Sequence, residues 1–173
     1  MGEKSTFTSK NAVRIAYANV WELKKNQASG KEEYSVLLLI PKTDTDTLLQ
    51  VKEAIEECYA ESLDVLRGNN KTNPSLDSIH TPLRDGDADK PDNEMFKGMM
   101  FINASSKFAP KIFDADKNDI TDHDAVYSGC WCRFRIRMYA YNQSGGKGIS
   151  CSLQALQKIE DDIRLDKNVK DFF

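Results

Sequence analysis

Long apolar runs are missing from this sequence. The longest uninterrupted one is Val36 to Ile40, far short of the roughly 20 residues that a membrane-spanning helix needs. The opening Met1-Gly2-Glu3-Lys4 shows no signal-peptide pattern, so the chain is expected to act in the cytoplasm, with no membrane partner. Cysteine is scarce, with four in 173 residues: Cys58, Cys130, Cys132 and Cys151. Without an export signal they are expected as reduced thiols. There are only two histidines, and no Ser-His-Asp or Cys-His arrangement is visible, so nucleophilic catalysis has no support and no enzyme is expected. Neither sign of charge dominates: 24 Lys+Arg against 27 Asp+Glu give a net charge of −3, which excludes a wholesale polycation and leaves the distribution of charge to be read. With 40% hydrophobic and 29% charged residues, collagen-like, coiled-coil and disordered classes are excluded, and the length suits one domain.

Residues 12–23 and 33–40 are rich in β-branched and aromatic side chains and are separated by the turn-prone stretch 26–30, which predicts an antiparallel hairpin. Tyr17 and Trp21 share the parity of Val13 and Ile15 and are expected in the core, with Arg14 on the other side as a possible extension of a basic surface. From Asp44 onward Leu48, Val51, Ile55, Cys58, Tyr59, Ser62 and Leu66 recur at three- and four-residue steps up to Gly68, which predicts one helix with an Asp or Thr cap. Residues 68–94 hold six acids against Lys71, Arg84 and Lys90, together with Gly, Asn and Pro, and read as a long surface excursion. Strand character returns at 98–108 and around Lys111–Phe113, then in two long strands at about 126–142 and 148–156 joined by the glycine-rich turn Asn142 to Gly148. The expected fold is mainly β: an OB-fold five-stranded antiparallel barrel with an inserted α-helix and long loops.

The run from Cys130 to Tyr141 carries the functional reading, because alternate side chains of a strand point to opposite faces. Even positions give Cys130, Cys132, Phe134, Ile136, Met138 and Ala140, an apolar face for a barrel interior; odd positions give Trp131, Arg133, Arg135, Arg137, Tyr139 and Tyr141. Guanidiniums that neutralise phosphates, beside flat rings on which unpaired bases stack, are what a protein needs to hold single-stranded nucleic acid without reading its sequence. The charge distribution agrees. Met95 to Phe113 contains Lys97, Lys107 and Lys111 and no acid, and 125–159 contains Arg133, Arg135, Arg137, Lys147 and Lys158 and no acid. One basic surface on an otherwise acidic chain points to a polyanion groove. On the expected solvent side of the 98–108 strand, Phe101 is a further stacking candidate. Lys107, Lys111 and Lys147 complete the phosphate-binding set. The competing structural reading is a strand exterior whose arginines pair with cross-strand acids.

Other signals are weaker. Asp114 to Asp124 begins like a calcium loop, but Asp119 stands where glycine is required and Ala125 where glutamate is, so it reads as a solvated turn. Gly145 to Gly148 lacks phosphate-loop spacing. Cys130 and Cys132 fall on the apolar face, and neither a metal nor another cofactor is implied. Residues 160–173 hold five acids against three bases and end Asp171-Phe172-Phe173. The expected division is a binding domain over 1–159 and an acidic, aromatic C-terminal tail over 160–173 that presents its end to partner proteins.

Several segments, taken together and in order, resemble a phage-encoded single-stranded DNA-binding family long catalogued as a domain of unknown function. They include Tyr17-Ala-Asn-Val, Leu38-Leu-Ile-Pro41-Lys42, Pro82-Leu-Arg-Asp-Gly-Asp87, Phe101-Ile-Asn-Ala-Ser105, Tyr127-Ser-Gly-Cys130, Tyr139-Ala-Tyr141-Asn142 and Gly146-Lys-Gly148 through Lys158. The resemblance implies an OB-fold, sequence-independent binding of single-stranded DNA, a role in phage replication, recombination or repair, and phage or host replication proteins as partners of the tail. Two other readings stay open: a metal-dependent nuclease or recombination enzyme using aspartates of the 77–94 or 114–124 loops, and a barrel that faces another protein.

Overall fold

The structure, a computed structural model, describes residues 5–25, 30–143 and 146–165. Strand β1 (Thr6–Thr8) precedes the hairpin β2 (Val13–Lys25) and β3 (Glu32–Pro41), whose register pairs Arg14 with Leu39 and Ala16 with Leu37. Two helices follow, α1 (Thr45–Glu61) and α2 (Leu63–Arg67). Then come β4 (Arg84–Asp85), a helical turn α3 (Gly86–Asp89), β5 (Met99–Ser106), β6 (Lys111–Phe113), β7 (Trp131–Gln143) and β8 (Gly146–Glu160).

The pairings β2–β3, β3–β5, β5–β8, β8–β7 and β7–β2 close a five-stranded ring. Four of these contacts are antiparallel, and β5–β8, through Ser105 and Ser152, is parallel. An odd ring cannot close with every neighbour antiparallel, and the five-stranded antiparallel barrel expected from sequence closes through this one parallel contact. Strands β1, β4 and β6 extend the ring as short additions to β7, β5 and β8.

The barrel interior holds Val13, Ile15, Val36, Leu38, Ile40, Ile102, Ala104, Phe134, Ile136, Met138, Ile149, Cys151, Leu153 and Leu156, all buried. Helix α1 covers this core with Leu48, Val51, Ala54, Ile55 and Cys58, spaced to lie on one helical face. Its N-cap is Asp44, whose carboxylate accepts from the Thr47 N–H at 3.2 Å. The single helix expected to run to Leu66 is broken at Ser62, after which α2 restarts and buries Leu66 before Gly68 stops it at positive φ. No helix among the described residues is long and apolar enough to cross a membrane.

A second, smaller cluster lies outside the barrel wall, where Ala16, Leu37, Leu39 and Phe101 are covered by Phe96 from the turn Glu94–Phe96. Two residues of β2 depart from expectation. The register slips between Ala16 and Asn19, Tyr17 takes a φ of +47°, and its ring swings out to 56% exposure instead of entering the core. Trp21 packs against the core only in part and stacks on His123 at 4.3 Å, with its ring N–H buried and unpartnered. Strand β7 begins at Trp131, not near residue 126. Gly129 turns the chain there at φ +121°, and a Cβ at that position would collide with the carbonyl oxygen of Ile163.

The 68–94 excursion is fastened to the barrel. Lys42 Nζ reaches Asp85 at 2.9 Å and Asp87 at 2.7 Å, which holds both carboxyls below their ordinary value. His80 adds a parallel bridge to Gly148, where a Cβ would lie 2.5 Å from the His80 Cβ, so only glycine allows the approach. The four cysteines are free and buried, with Cys130 and Cys132 sulfurs 3.8 Å apart.

Candidate nucleic-acid interface

Strand β7 keeps strict alternation: Cys132, Phe134, Ile136 and Met138 are buried, while Arg135, Arg137 and Tyr139 are exposed and Trp131, Arg133 and Tyr141 half-buried. The neighbours of the arginines are neutral. Across the ladder, Arg133 faces Gln157, Arg135 faces Ala155 and Arg137 faces Ser152. On the other side, Arg135 stands opposite Thr8 and Arg137 opposite Thr6. No carboxylate pairs with any of the three among the described residues. Their bonds are to neutral acceptors instead: Arg133 Nε donates to Ser9 O at 2.9 Å and Nη1 to Gln157 Oε1 at 3.3 Å, and Arg135 Nη1 donates to Thr8 Oγ1 at 3.0 Å. These bonds aim the Arg133 and Arg135 guanidiniums while leaving their charge uncompensated.

Two grooves run along this face. One, of about 580 Å³, brings together Lys107, Lys111, Arg137 and Tyr139, with Lys31, Glu33, Phe108 and Gln154 on its walls. The other, of about 430 Å³, is lined by Arg133 and Arg135 with Lys117 and Phe113. A register shift in the β7–β8 ladder between Arg135 and Ile136 leaves Gln154 as the extra residue of β8. Gln154 faces the first groove and Ala155 the second, so this bulge separates them. Phe108, 81% exposed, was not singled out in the sequence because it falls just past β5, where strand alternation lapses. An aromatic ring between Lys107 and Lys111 is the signal that could have found it.

Two expected contacts are corrected, Phe101 and Lys147, and a third, Trp131, is engaged within the chain. Phe101 has the outward parity expected of it but is only 5% exposed, because Phe96 packs edge-on against its ring at 4.9 Å; it offers no face to a base. Lys147 pairs with Asn142, so it shares the side on which Asn142 donates to Val65 O at 3.0 Å, away from Tyr139 and Tyr141. Trp131 is held by the chain's own later residues, since its Nε1 donates to Asp162 Oδ2 at 2.9 Å. Arg14 is drawn to the same carboxylate at 3.6 Å and bonds the carbonyls of Gly129 and Ile163, so it does not extend the free basic surface. Asp161 accepts from the Tyr127 hydroxyl at 2.9 Å and pairs with Lys158, and Leu165 N–H bonds Ser128 O, which ties residues 161–165 to the barrel. Asp171, Phe172 and Phe173 lie outside the described residues.

The acidic 114–124 loop is a set of local turns: Asp114 Oδ1 accepts from the Asp116 and Asn118 N–H groups, and Asp122 Oδ1 accepts from Asp124 N–H, each at 2.9 Å. No cluster of three or more His, Cys, Asp or Glu side chains placed to hold a metal ion occurs among the described residues.

A closed five-stranded barrel with a cationic, aromatic strand exterior defines the OB-fold class of nucleic-acid-binding proteins. The family model described as the Enterobacter phage Enc34 ssDNA-binding protein matches residues 6–170, and the chain belongs to that family. Putative protein p50 of Acyrthosiphon pisum secondary endosymbiont phage 1 is 31% identical over 157 residues, covering 87% of this chain and 82% of that protein. Among solved structures, the single-stranded DNA-binding protein from bacteriophage Enc34 in complex with ssDNA superposes with a TM-score of 0.69 at 26% identity, covering 90% of this chain and 86% of that one. The gp2.5 single-stranded DNA-binding protein of bacteriophage T7 shares the fold, with a TM-score of 0.64 at 16% identity and 98% of both chains covered.

Proposed function

We propose that this protein is a phage single-stranded DNA-binding protein that coats and protects the strand during replication, recombination and repair in the host cytoplasm. Its ligand lies along the outward row of β7. The observation that carries this reading is the row Arg133, Arg135, Arg137, Tyr139 and Tyr141, whose cross-strand neighbours among the described residues are all uncharged. Phosphates meet the three guanidiniums with Lys107 and Lys111, and bases stack on Tyr139, Tyr141 and Phe108. Nothing in this row distinguishes one base from another, which suits a protein that must coat any sequence. The protein performs no chemistry on the strand. The barrel together with residues 161–165, which are bonded to it, binds DNA, and the tail beyond them, ending in Asp171, Phe172 and Phe173, contacts phage or host replication proteins.

Fluorescence polarisation with a labelled oligo-dT of about 30 nucleotides and the matching duplex, at low and moderate salt, tests the assignment. Strong preference for the single strand, weakening as salt rises, is the expected result. Equal or absent binding overturns it. Incubating the DNA with protein and magnesium or manganese tests the absence of chemistry: cleavage that a chelator abolishes sinks the binding-only reading.

A further inference from the structure

Beyond Tyr139 the outward row of β7 continues to Tyr141, which leaves the two grooves and enters a separate cleft of about 570 Å³. One wall of this cleft is the 68–94 excursion and the other is the barrel, through Asn103 of β5, Tyr141 of β7 and Ser150 of β8. The excursion wall is built into the fold. His80 N–H bonds Lys147 O at 3.3 Å, the Ile149 N–H bonds His80 O at 2.8 Å, and β4 pairs Arg84 with Phe101.

We propose that this cleft is a nucleotide subsite at one end of the DNA path, in which a base stacks on Tyr141 and its phosphate is taken by Arg84. The inference rests on the reading of β7 as the DNA-binding face and carries the path past the sheet to an open cleft with the 68–94 excursion as its second wall. Three features support it. First, Arg84 is poised but not saturated: its Nε pairs with Asp89 Oδ2 at 2.7 Å, which uses one of the five N–H donors of a guanidinium and fixes its plane. Second, the floor offers both donor and acceptor groups. The exposed Asn103 amide and the Ser150 hydroxyl can each donate and accept, so the edge of any base finds partners. Third, the charge differs from that of the grooves. Arg133, Arg135 and Lys117 line the second groove with no acid among its lining residues, and the first sets Lys31, Lys107, Lys111 and Arg137 against Glu33 alone, whereas the cleft carries Asp89 against only Arg84 and Lys90. Phosphate runs are drawn to the grooves, and a single nucleotide with its base edge in contact suits the cleft.

The test uses the full chain with the variants Arg84→Gln and Asn103→Ala, a ladder of oligo-dT lengths and several salt concentrations. Arg84→Gln is expected to reduce the slope of log affinity against log salt by about 0.7, the loss of one phosphate contact on a single strand. Its affinity is expected to stop rising with oligonucleotide length about one nucleotide earlier than that of the unsubstituted protein. Asn103→Ala, at an exposed position, is expected to weaken binding several-fold with an unchanged melting temperature. Should Arg84→Gln lower the melting temperature, Asn103→Ala alone decides. Unchanged affinity for Asn103→Ala at every length, while Arg135→Gln with Arg137→Gln still weakens binding, overturns the cleft and leaves the β7 face standing. Failure of the unsubstituted protein to bind oligo-dT overturns the face and the cleft with it.

Discussion

The indole N–H of Trp131 and the guanidinium of Arg14 converge on one carboxylate, that of Asp162, at 2.9 Å and 3.6 Å. The Trp131 bond and the Ile163 N–H, helped by the charge of Arg14, hold the Asp162 carboxyl below its ordinary value of 3.8. A carboxyl lowered in this way contributes stability above its unfolded value and loses it as pH falls through the folded one. The attachment of residues 161–165 to the barrel is therefore expected to be intact at neutral pH and to release below about pH 3.8. Tryptophan emission followed during acidification, compared between the parent and Asp162→Asn, checks this: the low-pH change is expected to be missing or shifted in the variant.

Arg135 and Arg137 are exposed and touch no carboxylate among the described residues, so replacing both with glutamine removes charge without disturbing packing. The salt slope for oligo-dT is expected to fall by about 1.4, twice the single-strand value of about 0.7 per phosphate. The melting temperature should stay where it was. Titrations at four or five salt concentrations, paired with calorimetry, give both numbers.

Phe108 is 81% exposed and buries almost nothing in the fold. Phe108→Ala is expected to cost about 1–3 kcal/mol of single-strand affinity, the range for one base–aromatic stack, at no cost to stability. Tyr139→Ala with Tyr141→Ala is expected to behave in the same direction and more strongly. An unaltered Kd for both would remove stacking from the binding mode.

Phe101 should give the opposite signature. It is 5% exposed beneath Phe96, so Phe101→Ala opens a cavity and is expected to cost about 3–5 kcal/mol of stability. The folded fraction should keep the parent's salt slope. Denaturant unfolding measures the first quantity and oligo-dT titration the second.

The Cys130 thiol is lowered to about 7 by its hydrogen bond with Cys132, while burial pushes Cys151 up to about 12. All four thiols are nevertheless buried. A disulfide reagent at neutral pH is expected to titrate them slowly in the native protein and all at once in denaturant.

What was legible in the sequence follows from how local the determining physics is. The two faces of β7 could be read because strand alternation needs no knowledge of the rest of the chain. The Asp44 cap and the helix it starts were visible for the same reason. Phe101 was misjudged because parity gives the side of a sheet but not what covers it, and its cover, Phe96, comes from an irregular turn. Lys147 was misjudged through the turn. Starting β8 at Gly146 sets Lys147 against Asn142, and a one-residue change in register exchanges the two sides of a strand. The cleft was the least visible feature. It depends on Lys42 meeting Asp85 and Asp87 and on His80 meeting Gly148, contacts between segments far apart in the chain.

The alternation of β7 has one more consequence. Positions 132, 134, 136 and 138 answer only to the interior, and positions 133, 135, 137 and 139 answer mainly to the outside. Grip and durability are thus two separate dials mounted on a single stretch of backbone. Changes at odd positions can carry the chain from tight to loose attachment while it melts at the same temperature. Changes at even positions can weaken the barrel while each folded copy holds its ligand as firmly as before.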